Sequence, residues 1–268
     1  MKPDPHSCLK SWRKCGVACF AAVAVLLHAS CAFAFAAAVN PLLTLFPGDL
    51  VFLQTFDDGS LLPQVGAPAK SWREPPAEFA ADGVIGQCLA AGGARFSEDA
   101  FGAPILDTTG SGTVVCWVRY VDEVAPGAEP PIFFFTAQLA QTPKPGRLLC
   151  FKQRRDPDMV AMYECHTDRR IAAGARIKSS YRDWPRGEWR MVAMSWTPER
   201  IGISVGGSPF TEVPYDRALG RASSFSFAAP PPSDKKRFYQ IDECAILSRK
   251  LTDAEIAAVH AAFGERKK

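Results

Sequence analysis

The feature that most constrains this chain is a succession of short strand-like runs from residue 50 to residue 247. Each run is apolar or alternating, and Gly, Pro and Asp punctuate the gaps. Leu50 to Phe56 comes first and is closed by Asp57-Asp58-Gly59. Gly112 to Val121 is the clearest, dense in β-branched and aromatic residues (Thr113, Val114, Val115, Trp117, Val118, Tyr120). Ile132 to Thr136, Leu148 to Gln153, Met159 to Cys165, Glu188 to Trp196, Ile201 to Val205, Phe225 to Ala228 and Phe238 to Leu247 follow. About ten such segments with little else between them predict an all-β chain, a sandwich or a barrel. The proline pairs Pro75-Pro76 and Pro130-Pro131 and the run from Pro230 to Pro232 read as loops, because proline cannot donate to a sheet ladder. Gly206-Gly207 supplies the positive φ values that a tight hairpin turn requires.

One helix is strongly marked, at the C-terminal end. Thr252 is a good N-cap, Glu255 completes a capping box, and Leu251 with Ile256 forms a hydrophobic staple. Ile256, Val259, His260 and Phe263 recur at helical spacing, so one face of a short helix can lie on the sandwich.

Residues 1–34 have the parts of a secretory signal. Lys2, Lys10, Arg13 and Lys14 form a basic n-region, Cys15 to Phe35 is small and apolar, and Ala32-Phe33-Ala34 offers a small-x-small cleavage site. A lipoprotein acylated at Cys31 is the lesser alternative, on the strength of Ala29-Ser30-Cys31. The expected organisation is a signal over 1–34, a leader segment over 35–47, a domain over 48–264 and a basic tail over 265–268. The mature chain is expected to carry no transmembrane span and to be secreted or held in the cell envelope or periplasm.

Export changes the charge argument. Of 31 Lys and Arg and 28 Asp and Glu, residues 1–34 hold Lys2, Lys10, Arg13, Lys14 and Asp4, leaving 27 of each sign. A net charge of zero gives no electrostatic reason to expect nucleic acid as a partner. Nine cysteines fall to five: Cys88, Cys116, Cys150, Cys165 and Cys244. An oxidising compartment permits disulfides, and an odd count leaves at least one thiol unpaired; the equally weighted alternative is that they are small buried apolar residues. Cys150 and Cys165 are the best candidate pair, because they flank the turn Arg155-Asp156-Pro157-Asp158 on two strand-like runs.

Three ordered stretches resemble the concanavalin A-like, laminin-G-like domains. Gly112-Thr113-Val114-Val115-Cys116-Trp117-Val118-Arg119 is similar to their "GT-hydrophobic-x-x-W-V-R" strand. Trp189-Arg190-Met191-Val192-Ala193-Met194-Ser195-Trp196, followed by Ile201 to Gly207, resembles their two-tryptophan hairpin. Ile241-Asp242-Glu243-Cys244 through Leu251-Thr252-Asp253-Ala254-Glu255-Ile256 resembles their closing strand and helix, and Phe56-Asp57-Asp58-Gly59 their first-strand ending. The turn carries Gly206 where the family often has aspartate, and Arg190 stands where it often has histidine. The resemblance implies a two-sheet jelly roll over roughly residues 48–263. It also implies a structural Ca²⁺ held by Asp57, Asp58 and Asp242, since hard oxygen ligands suit that ion. The alternative is that Asp57-Asp58-Gly59 is merely a turn and Asp242 caps a backbone amide.

No catalytic constellation emerges. Hydrolases of this fold use an E-x-D-x-x-E strand to hold their carboxylates on one face, and no such run occurs here. Asp242 and Glu243 are adjacent, so on a regular strand they point to opposite faces. Cys165 and His166 diverge for the same reason. Trp117, Trp189 and Trp196 are expected in the core. Trp72 and Trp184 lie in loop-like segments and, with Arg73, Tyr181 and Arg182, are the candidate ligand contacts. The expected function is an exported, non-catalytic module that binds glycan or an extracellular or envelope protein. The rival readings are a structural protein–protein assembly component and, behind it, a polysaccharide hydrolase or lyase.

Overall fold

A computed structural model describes residues 39–66, 70–71, 77–91, 94–97, 106, 108–121, 132–140, 146–152, 158–165, 170–178, 187–214, 221–227 and 239–264. The chain divides into two compact units, 1–40 and 41–268, and the description below concerns the second. The expected signal and Cys31 lie outside the described residues. No helix among the described residues is long and apolar enough to cross a membrane.

The first elements are α1 (Pro41–Leu45), β1 (Leu50–Gln54), β2 (Lys70–Ser71), β3 (Glu78–Ala80), β4 (Cys88–Ala91) and β5 (Ala94–Ser97). The middle of the chain gives β6 (Gly112–Tyr120), β7 (Ile132–Ala140), β8 (Gly146–Lys152), β9 (Asp158–Cys165) and β10 (Arg170–Lys178). Then come β11 (Trp189–Trp196), β12 (Arg200–Val205), β13 (Thr211–Pro214), β14 (Arg221–Phe227), β15 (Tyr239–Leu247) and α2 (Asp253–Gly264). They form two sheets. One runs β13-β12-β11-β6-β15-β4-β3 with β1 also on β15, and the other runs β10-β9-β8-β7-β14-β5-β2. The chain is thus an all-β, two-sheet antiparallel jelly-roll sandwich with a short C-terminal helix.

Alternation along the central strands builds two cores. Val114, Cys116, Val118 and Tyr120 of β6, with Val192, Met194 and Trp196 of β11, face the second sheet and meet Phe96, Phe134, Phe135, Phe225 and Phe227. Phe52 of β1 lies in the middle of these rings, 4.6 Å from Phe96 and 5.8 Å from Phe227. The intervening residues Val115, Trp117, Met191 and Ala193 point outward, where Leu42 and Phe46 from one end and Ile256, Val259 and Phe263 of α2 cover them. Both faces of this sheet are therefore buried, which is why β6 is apolar throughout apart from Thr113 and Arg119.

The helix is placed by the signals anticipated for it. The Glu255 amide donates to Thr252 Oγ1 at 3.2 Å, and the Thr252 amide donates to Glu255 Oε2 at 2.8 Å. Leu251 and Ile256 are fully buried beside one another in the outer core. Trp117, Trp189 and Trp196 are core residues, and the Trp117 ring sits 4.2 Å from that of Phe263.

The hairpin of β8 and β9 corrects one expectation. Its register sets Cys150 opposite Ala161 and Cys165 opposite Gly146. The two cysteines lie four positions apart along the ladder, roughly 13 Å at the usual rise per residue, beyond the reach of a disulfide. Cys150 is a buried free thiol, as are Cys88 and Cys116. The physical reason is asymmetry: Cys150 is close to the turn on its strand and Cys165 is at the far end of the other.

Candidate functional site

The outer face of the first sheet is polar at the end that the helices leave uncovered. Cross-strand register lays out two adjacent rows there. Trp189, Arg119 and Gln240 are direct partners across β11, β6 and β15, and two residues along β6 the row is Met191, Trp117 and Asp242. The loop joining β3 to β4, residues 81–87, contacts both rows.

Asp242 is fully buried. Its Oδ2 accepts the Val84 amide at 2.7 Å and its Oδ1 accepts the Glu243 amide at 2.9 Å. Burial pushes its carboxyl well above the ordinary aspartate range, and the neighbouring charges of Glu243 and, more weakly, Asp57 push it further. Glu243 is the extra residue of a β-bulge: the register with β6 shifts between Asp242 and Ala245, and Glu243 takes φ 50°. The strict opposition of Asp242 and Glu243 expected on a regular strand is thereby broken, and both are removed from solvent.

Asp57 approaches the same loop from the end of β1. Its Oδ1 is buried with no hydrogen-bond partner. Burial raises its carboxyl from the usual value, against hydrogen bonding from the Thr55 side chain and the Gln87 backbone. The residue before it, Phe56, adopts φ 62°, a conformation rare for a bulky side chain. Two glycines let the loop come this close. A Cβ on Gly83 would stand 2.7 Å from Asp242 Oδ2, and a Cβ on Gly86, which has φ 59°, would stand 2.4 Å from Asp57 Oδ1.

Of the three anticipated calcium ligands, the structure brings Asp57 and Asp242 under one loop and leaves Asp58 out. Asp58 Oδ1 accepts the Ser60 amide at 3.1 Å and the Ser60 hydroxyl at 2.8 Å, so it closes an exposed local turn. An orphaned buried carboxylate oxygen and a glycine cradle fit a hard cation. No group of three His, Cys, Asp or Glu side chains converges among the described residues. Oxygens beyond the two carboxylates would thus come from backbone or water.

Arg119 enters the sequence reading only as the end of a motif strand and not as a site residue, though a lone charge in an otherwise apolar strand signals a buried partner. It forms an ion pair with Asp82 Oδ2 at 2.7 Å and donates through Nε to Gln240 Oε1 at 2.9 Å, with Nη2 on the same oxygen. Its guanidinium lies 4.7 Å over the Trp189 ring. The Trp189 indole in turn donates to the Asp82 carbonyl at 3.2 Å. Beside Arg119, the Asp82 carboxyl is held below its ordinary value, chiefly by that hydrogen bond. The candidate contacts Trp72, Arg73, Tyr181, Arg182 and Trp184 lie outside the described residues.

No protein-family model matches the chain, and no curated protein is similar to it in sequence. Solved structures do share its fold. The binding domain of botulinum neurotoxin serotype D superposes with a TM-score of 0.60 at 10% identity, covering 80% of this chain and 51% of that one. The serotype G binding domain gives 0.59 at 11% identity, covering 80% and 51%. Domain 4 of AbnA, a GH43 extracellular arabinanase from Geobacillus stearothermophilus solved with arabinotriose, gives 0.58 at 16% identity, covering 79% of this chain and 98% of that one. The chain spans about half the length of the toxin domains and nearly all of the arabinanase domain. Identities this low establish a shared β-sandwich architecture, on which binding sites of many kinds are built.

Proposed function

We propose that this protein is a non-catalytic binding module of the laminin-G-like or concanavalin A-like kind, which takes carbohydrate outside the cell. The observation that carries the reading is the match along almost the whole of an arabinanase domain solved with an arabinose trisaccharide. The toxin binding domains point the same way, toward recognition rather than catalysis. The sequence adds a leader of secretory type and offers no paired carboxylates on one strand face. Trp72 and Trp184, with Arg73, Tyr181 and Arg182, are the side chains proposed to meet the sugar, because exposed aromatic faces stack on pyranose or furanose rings.

Asp57 and Asp242 are the side chains that would hold a Ca²⁺. Bound there, the ion would supply positive charge to one buried and one half-buried carboxylate, both of which burial otherwise pushes toward protonation. The protein's own part is to present both oxygens on one side of the 81–87 loop, through the Gly83 and Gly86 approaches and the Val84 amide.

A glycan array probed with the purified protein, in calcium and again in EDTA, tests the reading. Saturable binding that weakens on Trp72→Ala and Trp184→Ala supports it. An array blank in both conditions, together with capture of a defined envelope protein, refutes the carbohydrate assignment.

A further inference from the structure

We infer that Arg119 is the positioning residue of the Asp57–Asp242 site: it clamps the 81–87 loop over the two carboxylates while touching neither. The inference rests on the cation reading just proposed and concerns how this chain builds the site.

The clamp follows from the register. Trp189 and Gln240 are the cross-strand neighbours of Arg119 on either side, so the three side chains share one face and one row. Arg119 is anchored on Gln240 and lies against the Trp189 ring, which fixes the guanidinium plane. From that fixed position it grips the Asp82 carboxylate, while Trp189 grips the carbonyl of the same residue. Asp82 is therefore held by backbone and side chain at once. Two residues later Val84 donates to Asp242, and Gly83 donates to the Gly86 carbonyl at 3.0 Å, which closes the turn that rests on Asp57. The loop is pinned outside at residue 82 and inside at residue 84.

The Arg119 side chain is only 10% exposed, so its partners keep a buried charge satisfied, whereas the Asp82 side chain is 67% exposed and is solvated with or without the pair. The contribution to the loop is geometric, since a planar, forked guanidinium can stack, anchor and bridge simultaneously, and an ammonium cannot.

The test compares the full-length protein with Arg119→Lys and Trp189→Phe, by calcium titration calorimetry and by amide hydrogen exchange of residues 81–87 in EDTA. Both substitutions leave net charge unchanged, so neither alters the site's long-range electrostatics. Arg119→Lys breaks the fork, and Trp189→Phe keeps the ring under the guanidinium but deletes the donor to Asp82. Both are expected to weaken calcium binding about tenfold or more, the usual cost of removing an outer support of a metal site. Both should also speed exchange in the loop, with far-UV circular dichroism unchanged. Wild-type calcium affinity in both folded variants would overturn the clamp and leave the cation site standing. A wild-type protein that binds no calcium would overturn both. Should Arg119→Lys fail to fold, Trp189→Phe decides the matter alone, because it retains the buried guanidinium.

Discussion

Gly86 provides the sharpest test of the site geometry, because a second glycine acts as its control. Gly86 and Gly206 have nearly the same positive φ, 59° and 62°. A Cβ at Gly206 would meet nothing within 4 Å, whereas a Cβ at Gly86 would meet Asp57 Oδ1 at 2.4 Å, Cγ at 3.1 Å and Cβ at 3.4 Å. Gly206→Ala therefore carries only the left-handed backbone cost, about 1–2 kcal/mol. Gly86→Ala carries that cost and must also displace the Asp57 carboxylate. Aspartate is short and its whole side chain crowds the position, so the overlap should add about 1–3 kcal/mol, as overpacking does. For a domain of this size each kcal/mol lowers Tm by roughly 2–4 °C, so Gly86→Ala should melt about 2–12 °C below Gly206→Ala in EDTA. The attribution to Asp57 is checked by a double-mutant cycle. In an Asp57→Ala background most of the extra cost of Gly86→Ala should vanish, a coupling of about 1 kcal/mol or more. Equal melting of the two glycine variants, or additivity in the cycle, would show that the loop does not lie on Asp57 and would remove the structural basis of the site.

Further outcomes follow from the fold. Thr252→Ala opens the capping box and should cost about 1 kcal/mol by chemical denaturation. Glu255 accepts from Arg249 at 2.7 and 2.9 Å, and chiefly through that interaction its carboxyl is lowered to about 2. Its stabilising contribution is then fully present above pH 4.5 and lost as pH falls toward 2, so Glu255→Gln should differ from wild type at pH 6 and converge with it near pH 2 in urea-unfolding midpoints. Phe263→Ala empties the contact with Trp117 and should cost about 3–5 kcal/mol, seen as a loss of midpoint and a change in tryptophan emission. Non-reducing peptide mapping should find no Cys150–Cys165 bridge. Burial raises the Cys88 and Cys150 thiols to about 12, so native protein at pH 8 should resist alkylation there until denatured.

What the sequence discloses and what it withholds divide along physical lines. The β6, β11 and β15 strands are legible because alternation is local and strong, and the helix is legible because its cap, staple and apolar stripe lie within a dozen residues. The strands that escape notice are short or weakly patterned. β4 and β5 have four residues each, and β10 is built around Ala172, Ala173 and Gly174, whose small side chains give no period. The mismatch of Cys150 and Cys165 needed only counting, since opposed residues of a hairpin are equidistant from its turn. Asp58 could likewise have been set aside, because Ser60 stands two residues on, at the spacing of an Asx turn.

The site itself depends on contacts between residues far apart in sequence, and two of its signals were still present in the chain. Along β15 the inward residues run Ile241, then Cys244, then Ile246. That spacing of three interrupts a period of two and marks the bulge that brings Asp242 and Glu243 out of solvent together. The other signal is Arg119 itself. A guanidinium in the middle of a sheet buried on both faces requires a carboxylate, an acceptor and a flat surface within reach. Register supplies the surface and the acceptor as Trp189 and Gln240, which leaves the carboxylate to come from outside the sheet. The nearest chain that can bring one is the connection to β4, and Asp82 lies there. A loop held at that residue must then cross the Asp242 row, two positions along β6. The place where the acidic pair is covered is thus a consequence of where one arginine sits in one strand.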